Sequence, residues 1–240
     1  WLELCSRVGA TMTVAPNFAY ELVLRRVRHP KDLDLSPLRS MLNGSEPVHR
    51  ATIERFEAAF APVGLRKGVV LPVYGLAENV LGVAFQPQGA PDADLALEGR
   101  VVPRWGGPLR GLEVAIRNEA GDVVDEGQEG EVTVRGPTLM SGYFDDPEST
   151  ARALRDGWLF TGDRGVLVKG RLHLTGREKE LIIKMGRKFH PADIERIVTD
   201  VADPPPNGVV AFSVDDESTN QEALVVVVEQ RRASETGLVD

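Results

Sequence analysis

The chain has 240 residues, and its 42% hydrophobic content predicts a globular protein with a substantial core. Its 28 basic and 36 acidic residues give a formal net charge of −8, which argues against nonspecific binding to nucleic acid or to anionic lipid. The single cysteine excludes an internal disulfide, and no apolar run approaches the roughly 20 residues of a membrane span, so we expect a cytoplasmic protein.

Alternating helices and strands are predicted in the first third of the chain. Residues 18–28 have an apolar side and an arginine-bearing side, which predicts a helix that His29-Pro30 ends. A short buried strand is predicted at residues 38–42, and a helix at residues 47–60, where apolar side chains recur at helical spacing. A second buried strand at residues 69–74 completes a strand–helix–strand unit, which predicts an α/β layer.

The pattern changes to short strands after residue 85. Residues 86–91 are rich in Pro and Gly, and residues 113–117 and 131–135 alternate polar and apolar side chains. Residues 119–122 supply a tight turn between strand candidates. These features predict a small antiparallel barrel-like unit.

A capped helix is predicted after that unit. Asp146 precedes Pro147 and a run of polar residues, so a helix should begin there and continue to Leu154. Gly157 is predicted to close this helix. Strand pairs are then expected around residues 165–168 and 172–175.

A second α/β run follows a boundary near residues 176–179. The polar tail at residues 231–240 closes no evident unit and the chain begins with Trp1, so we expect a fragment whose second domain is incomplete. The predicted elements of this run are a helix at residues 191–198 and strands at residues 181–183, 209–214 and 223–229.

The segment Tyr74-Gly75-Leu76-Ala77-Glu78 follows a predicted buried strand, at the end where open α/β sheets place ligands. Tyr74 offers a flat face for a base, and Gly75 lets the backbone approach a ligand closely. Glu78 supplies carboxylate oxygens of the kind that hold Mg²⁺. Taken alone, a Tyr-Gly turn and a helix-starting Glu are more often structural than functional.

Asp163 and Arg177 stand in two further glycine-flanked segments, which we interpret as neighbouring turns. A carboxylate can accept hydrogen bonds from two adjacent sugar hydroxyls, and an Arg can brace the same sugar or its phosphate. An isolated turn Asp or exposed Arg is usually structural. The three motifs in this order, however, resemble the adenylate-forming enzymes, which activate carboxylic acids as acyl-AMP.

Details of these motifs resemble the fatty acyl-AMP ligases within that family. The family motif reads Tyr-Gly-x-Thr-Glu, and these ligases usually have Ala at the Thr position, as does Ala77. Residues 43–47 are similar to a Gly-Ala-Glu-Pro loop whose backbone packs against adenine. Residues 16–20 are similar to the segment that lines the acyl pocket, and residues 186–195 resemble the version of a later motif found in these ligases.

The resemblance implies a role for each matching residue. The acyl chain is assigned to Asn17, Phe18 and Ala19, the metal to Glu78, and the hinge between two domains to Lys179. Residues 1–176 are expected to be the second half of a large α/β N-terminal domain, and residues 177–240 the start of a small α+β C-terminal domain. The residues assigned to ATP or AMP are Gly44, Ser45, Glu46, Pro47, Tyr74, Gly75, Leu76, Ala77, Asp163 and Arg177.

The implied reaction is the ATP- and Mg²⁺-dependent activation of a fatty acid, with release of pyrophosphate and transfer of the acyl group to a carrier-protein phosphopantetheine thiol. The connection at residues 84–111 is short for an insertion typical of fatty acyl-AMP ligases, so an acyl-CoA ligase stays an alternative. A module that binds acyl or nucleotide ligands without turnover is a third. Neither the phosphate loop nor the late catalytic Lys of the family is in the sequence, so no catalytic residue is assigned and the chain alone is expected to be inactive.

Other candidate motifs are excluded or carry no chemistry. The four histidines have no common metal-ligand spacing, and Cys5 has no partner in sequence, which argues against zinc and thiol catalysis. Residues 165–170 have the glycine spacing of a phosphate loop but lack its Lys and Ser/Thr. Residues 130–136 and Gly142-Tyr143 match a strand-and-turn signature of the family, which we interpret as structural.

Overall fold

The computed structural model describes residues 1–27, 32–46, 48–87, 95–97, 100–102, 105–184, 187–203, 206, 208–216 and 221–229. The chain divides into two compact units, Trp1–Thr175 and Gly176–Asp240, at nearly the position where the sequence predicts a boundary. Among the described residues, no helix is long and apolar enough to cross a membrane.

The first unit contains four α-helices and twelve strands within its described residues, and the last of these strands extends two residues into the second unit. The helices are α1 (Leu2–Val8), α2 (Asn17–Arg26), α3 (Arg50–Phe60) and α4 (Pro147–Ala153). The strands are β1 (Met12–Ala15), β2 (Ser40–Asn43), β3 (Val70–Gly75), β4 (Gly82–Phe85), β5 (Leu95–Leu97), β6 (Arg100–Val102), β7 (Gly107–Pro108), β8 (Glu113–Arg117), β9 (Gly130–Arg135), β10 (Leu154–Arg155), β11 (Trp158–Val168) and β12 (Arg171–Arg177).

An α/β layer is built on a five-stranded sheet with the order β1-β2-β3-β4-β7. Strands β1, β2 and β3 are parallel, with α2 and α3 as their connections, whereas β4 and β7 are antiparallel to their neighbours. The predicted strand–helix–strand unit is therefore confirmed. Both helices are shorter than predicted, and residues 28–30 and Pro47, which the sequence placed at their ends, lie outside the described residues.

Aromatic side chains join the two connecting helices. The rings of Tyr20 and Phe56 meet edge to face with centroids 4.9 Å apart, and Phe56 and Phe60 are 4.7 Å apart. All three side chains are buried, as the helical spacing of Phe56 and Phe60 predicts. Burying these rings holds α2 and α3 together on the sheet.

The buried carboxylate of Glu57 fixes the start of β3. Its Oε1 accepts hydrogen bonds from the backbone N–H groups of Gly68, at 2.9 Å, and of Val70, at 3.0 Å. A buried carboxylate needs such partners, and these two tie α3 to the turn that leads into the strand. The position of Tyr74, further along β3, therefore depends on α3.

Strands β8 to β12 form a second, antiparallel sheet, in which β10, β11, β9 and β8 are successive neighbours and β12 pairs with β11. The predicted antiparallel character is confirmed, and β8 has the predicted bounds. The predicted turn after β8 is also present, with Gly121 at φ 87° donating its N–H to the Asn118 carbonyl at 2.9 Å.

The predicted closure of α4 by Gly157 is wrong. Asp146 caps the helix as expected, accepting a hydrogen bond from the Ser149 N–H at 2.8 Å, which holds the pKa of Asp146 below its usual range. The helix ends at Ala153, however, and the next residues form β10. Asp156 and Gly157 have φ values of 50° and 76°, so they form the turn of a hairpin between β10 and β11.

The second unit contains α5 (Pro191–Val201) and strands β13 (Ile182–Lys184), β14 (Arg187–Phe189), β15 (Gly208–Asp216) and β16 (Gln221–Glu229). The strands form two antiparallel pairs, β13 with β14 and β15 with β16. The predicted helix and strands of this region are confirmed, and Glu195 of α5 accepts a hydrogen bond from the Ala211 N–H at 3.0 Å. The predicted polar tail at residues 231–240 lies outside the described residues.

Candidate functional site

Tyr74 and Asp163, predicted from separate motifs, are in direct contact. The Tyr74 hydroxyl donates a hydrogen bond to Asp163 Oδ2 at 2.6 Å, across 89 residues of sequence. Their exposed fractions are only 6% and 7%. A short hydrogen bond from a hydroxyl to a carboxylate is among the strong ones in proteins, so the end of β3 and the middle of β11 are fixed to each other here.

Asp163 lies within β11, so the predicted turn around it is wrong. The structure instead places a bulge there, with a shift in register between Phe160 and Arg164. A bulge turns a side chain away from the regular alternation of its strand. Asp163 therefore points to Tyr74 from inside the sheet, and not from a surface turn.

Hydrogen bonds from two neighbouring residues stabilise the bulge. Gly162, whose φ is 72°, donates its N–H to Glu131 Oε1 at 2.9 Å. The Thr161 hydroxyl donates to the Val132 carbonyl at 2.7 Å and accepts from the Asp163 N–H at 3.1 Å. The backbone of Asp163 is therefore held before any ligand binds.

The connection from β3 to β4 turns too tightly for a side chain at Gly75. A Cβ atom built on Gly75 would lie 1.9 Å from the Leu81 carbonyl oxygen, which accepts the Leu76 N–H at 2.8 Å. Ala77 begins a 3-10 helix, Ala77–Asn79, so Glu78 lies in an ordered turn. The close backbone approach that Gly75 allows is therefore made to the Leu81 carbonyl of the same chain.

Glu78 has a protein partner that no motif of the sequence indicates, Tyr143. The Tyr143 hydroxyl donates to Glu78 Oε1 at 2.9 Å. Partial burial, followed by this hydrogen bond, raises the pKa of Tyr143. Among the described residues no three His, Cys, Asp or Glu side chains group as a metal site, so Glu78 is a single carboxylate donor.

The loop after β2 packs against β3 beside Tyr74. A Cβ atom on Gly44 would lie 2.5 Å from the Val73 carbonyl oxygen, so the backbone approaches β3 as closely as a glycine allows. Ser45 is exposed with φ 70°. The Glu46 carboxylate accepts a hydrogen bond from the Phe18 N–H at the start of α2. Gly44 thus lies beside β3, and Glu46 contacts the predicted acyl segment.

Asn17 is buried, and its side chain anchors this loop. Its Oδ1 accepts hydrogen bonds from Asn43 Nδ2 at 3.2 Å and from the His49 N–H at 3.3 Å, so it joins the two ends of the loop. Phe18, next to it, is 60% exposed. The sequence predicts acyl contact for both residues, but only Phe18 presents a side chain to solvent.

Arg177 and Lys179 belong to the second compact unit. Arg177 is exposed at the end of β12, and Lys179 lies in a 3-10 helix, Glu178–Glu180. Their predicted roles at the ribose and at a hinge stay predictions.

Asn17→Ala is expected to lower the free energy of unfolding by about 2 kcal/mol, because Asn43 loses a buried acceptor and the loop loses both of its anchors. Urea denaturation checks this. The matched control is Asn118→Ala, which removes an exposed hydrogen bond to the Asp122 N–H and should cost clearly less. Equal effects of the two substitutions would contradict the anchoring role of Asn17.

A family model described as AMP-binding enzyme matches residues 1–144. The chain is 33% identical to the medium-chain-fatty-acid–[acyl-carrier-protein] ligase JamA of Moorena producens, over 97% of this chain and 44% of that protein. It is 32% identical to the long-chain-fatty-acid–AMP ligase FadD26 of Mycobacterium tuberculosis, over 98% of this chain and 45% of that protein.

Solved structures of fatty acyl-adenylate ligases are also similar to this chain. One from a study of fatty acyl-adenylate ligases of E. coli and L. pneumophila superposes with a TM-score of 0.85 at 34% identity, covering 98% of this chain and 46% of that one. The chain therefore spans about half the length of the relatives it matches.

Proposed function

Because the chain belongs to the AMP-binding enzyme family, we propose that its full-length protein is a fatty acyl-AMP ligase, which joins a fatty acid to AMP with release of pyrophosphate. The observation that carries this proposal is the hydrogen bond between Tyr74 and Asp163. It brings two motifs of the predicted nucleotide site to one place, at the carboxyl end of a sheet strand where α/β proteins bind ligands.

The nucleoside is proposed to lie against this pair. A carboxylate can accept several hydrogen bonds at once, so Asp163 can hold ribose hydroxyls while it also accepts from Tyr74. Adenine would lie between the ring of Tyr74 and the backbone near Gly44. Leu76, Ala77 and Arg177 complete the proposed nucleotide site, with Arg177 bracing the ribose or its phosphate.

Glu78 is proposed to hold Mg²⁺ bound to the ATP phosphates. A single protein carboxylate suits this ion, because Mg²⁺ commonly keeps several water ligands and takes the others from substrate phosphates. The ion would supply charge neutralisation at the phosphates. The chain contributes positioning: Asp163 and Tyr74 fix the nucleoside, and the reaction then depends on alignment of the fatty carboxylate with the α-phosphate.

The acyl chain is proposed to contact the exposed ring of Phe18, at the start of α2. A carrier-protein phosphopantetheine thiol is the proposed acceptor, supported by the name of the Moorena relative. Free coenzyme A is the alternative acceptor. We also propose that residues 1–176 and 177–240 belong to the large and small domains of the family, and that Lys179 is the hinge between them.

The test uses the full-length protein with ATP, Mg²⁺ and fatty acids of several chain lengths. We expect exchange of labelled pyrophosphate into ATP that depends on the fatty acid, and acyl-carrier product by mass spectrometry when a carrier protein is added. Acyl-CoA in place of acyl-carrier product would contradict the proposed acceptor. Nucleotide binding without any exchange would contradict the ligase activity and favour a binding module.

A further inference from the structure

The segment that follows β9 is bound to the turn that presents Glu78. The Met140 N–H donates to the Glu78 carbonyl at 2.7 Å, and the Thr138 hydroxyl donates to Asn79 Oδ1 at 2.8 Å. The Tyr143 hydroxyl donates to the Glu78 carboxylate at 2.9 Å. Residues 138–143 thus bind two adjacent residues of the β3–β4 connection, Glu78 and Asn79.

These hydrogen bonds have different targets. Met140 holds the backbone of Glu78, and Thr138 holds the side chain of Asn79, which in turn donates to the Gly82 carbonyl at 2.7 Å. Either bond can stabilise the turn without affecting where the Glu78 carboxylate points. Tyr143, by contrast, binds Glu78 at its carboxylate and not at its backbone, so it acts on the side-chain orientation.

Tyr143 is itself held in place. Its N–H donates to the Thr150 hydroxyl at 2.9 Å, and that hydroxyl donates to the Asp146 carbonyl at 2.8 Å, at the start of α4. Gly142, at φ 155°, passes so close to Thr150 that a Cβ atom there would lie 2.9 Å from its methyl carbon. A fixed donor can restrict a side chain that would otherwise sample several rotamers.

We propose that Tyr143 is a positioning residue, whose hydroxyl holds one oxygen of the Glu78 carboxylate so that the other faces the Mg²⁺ of bound ATP. The inference rests on the proposed function and deepens it. The hydrogen bond has two opposing effects: it lowers the charge density on the carboxylate, but it also removes the rotamer freedom of a half-buried Glu. A carboxylate has about four acceptor positions, so one donor leaves capacity for a metal, and the inference is that the second effect is the larger one.

The test is Tyr143→Phe in the full-length protein, with ATP binding measured by calorimetry over a range of Mg²⁺ concentrations. The substitution removes one hydroxyl and keeps the ring. We expect the Mg²⁺ concentration for half-maximal ATP binding to rise by about three- to tenfold, which is less than the loss of a buried charge-assisted hydrogen bond would give, because the contact between Tyr143 and Glu78 is exposed. An unchanged or lower Mg²⁺ requirement would overturn the inference.

Two further variants separate positioning from stability. Thr138→Val removes the bond to Asn79 and should lower the unfolding midpoint while leaving the Mg²⁺ requirement unchanged. Glu78→Gln should make ATP binding less dependent on Mg²⁺. Adding Tyr143→Phe to the Glu78→Gln variant should have no further effect on this dependence, because the two residues act through one hydrogen bond. If the effects of Tyr143→Phe and Glu78→Gln simply add, Tyr143 does not act through Glu78.

Failure of the proposed function has a different signature. A wild-type protein whose ATP binding is absent, or is independent of Mg²⁺, would contradict that function and this inference together. A wild-type protein with Mg²⁺-dependent binding that Glu78→Gln weakens and Tyr143→Phe leaves unaltered would contradict this inference alone.

Discussion

Replacing Asp163 with Ala is expected to weaken ATP binding by the full-length protein by about 100-fold or more. The proposed ribose contact consists of two hydrogen bonds to a charged acceptor, worth about 1.5–3 kcal/mol each, and every 1.4 kcal/mol is about tenfold in affinity. Calorimetry measures the change directly. Unaltered affinity for ATP would remove Asp163 from the nucleotide site.

The same substitution has a second, separable effect on folding. Asp163→Ala leaves the buried Tyr74 hydroxyl without its described acceptor, which should lower the free energy of unfolding by about 1–3 kcal/mol. The double variant Asp163→Ala/Tyr74→Phe removes both polar groups, so it should recover much of this stability while ATP binding stays weak. Recovery of ATP binding along with stability would show that Asp163 acts only on the fold.

A matched control distinguishes the site from a general charge effect. Asp122 is an exposed Asp in the turn after β8. Asp122→Ala changes the net charge by the same amount as Asp163→Ala, and it should leave both ATP affinity and stability near their wild-type values. A comparable loss of affinity in this variant would indicate a long-range effect of charge.

The sequence predicted the helices and strands whose burial follows a regular period. Phe56 and Phe60 recur at helical spacing and are buried on α3, and β8 alternates within its predicted bounds. The hairpin between β10 and β11 was missed although Asp156-Gly157 is a strong signal for such a turn. The sequence favours a helix end at Gly157 because the capped helix that begins after Asp146 is predicted to continue to Leu154, whereas the helix ends at Ala153.

The contacts between the site residues could not be predicted from the sequence. The sequence points to both Tyr74 and Asp163, but their direct contact depends on a bulge in β11, which hydrogen bonds of the Thr161 and Glu131 side chains stabilise. Tyr143 and Glu78 lie 65 residues apart, and no local pattern relates them. Asn17 was assigned to the acyl chain by resemblance, whereas its burial directs its side chain to the loop after β2.

Gly75→Ala is expected to disrupt both the fold and the site. Its Cβ would lie 1.9 Å from the Leu81 carbonyl oxygen and 2.8 Å from the Leu81 carbonyl carbon, so backbone, and not a flexible side chain, has to move. Overpacking of this kind costs about 3 kcal/mol in free energy of unfolding. The control is Gly208→Ala, where the nearest atom, on a side chain, is 3.5 Å away.

The consequence for nucleotide binding follows from the position of Gly75 between Tyr74 and Glu78. Moving the β3–β4 connection away from Leu81 displaces both the hydroxyl that holds Asp163 and the carboxylate proposed to hold Mg²⁺. We therefore expect ATP affinity, measured by calorimetry below the unfolding temperature of the variant, to fall at least tenfold, whereas Gly208→Ala retains it. A folded Gly75→Ala protein with wild-type affinity would show that the turn can relax without moving either group, and that the tight connection serves the sheet alone.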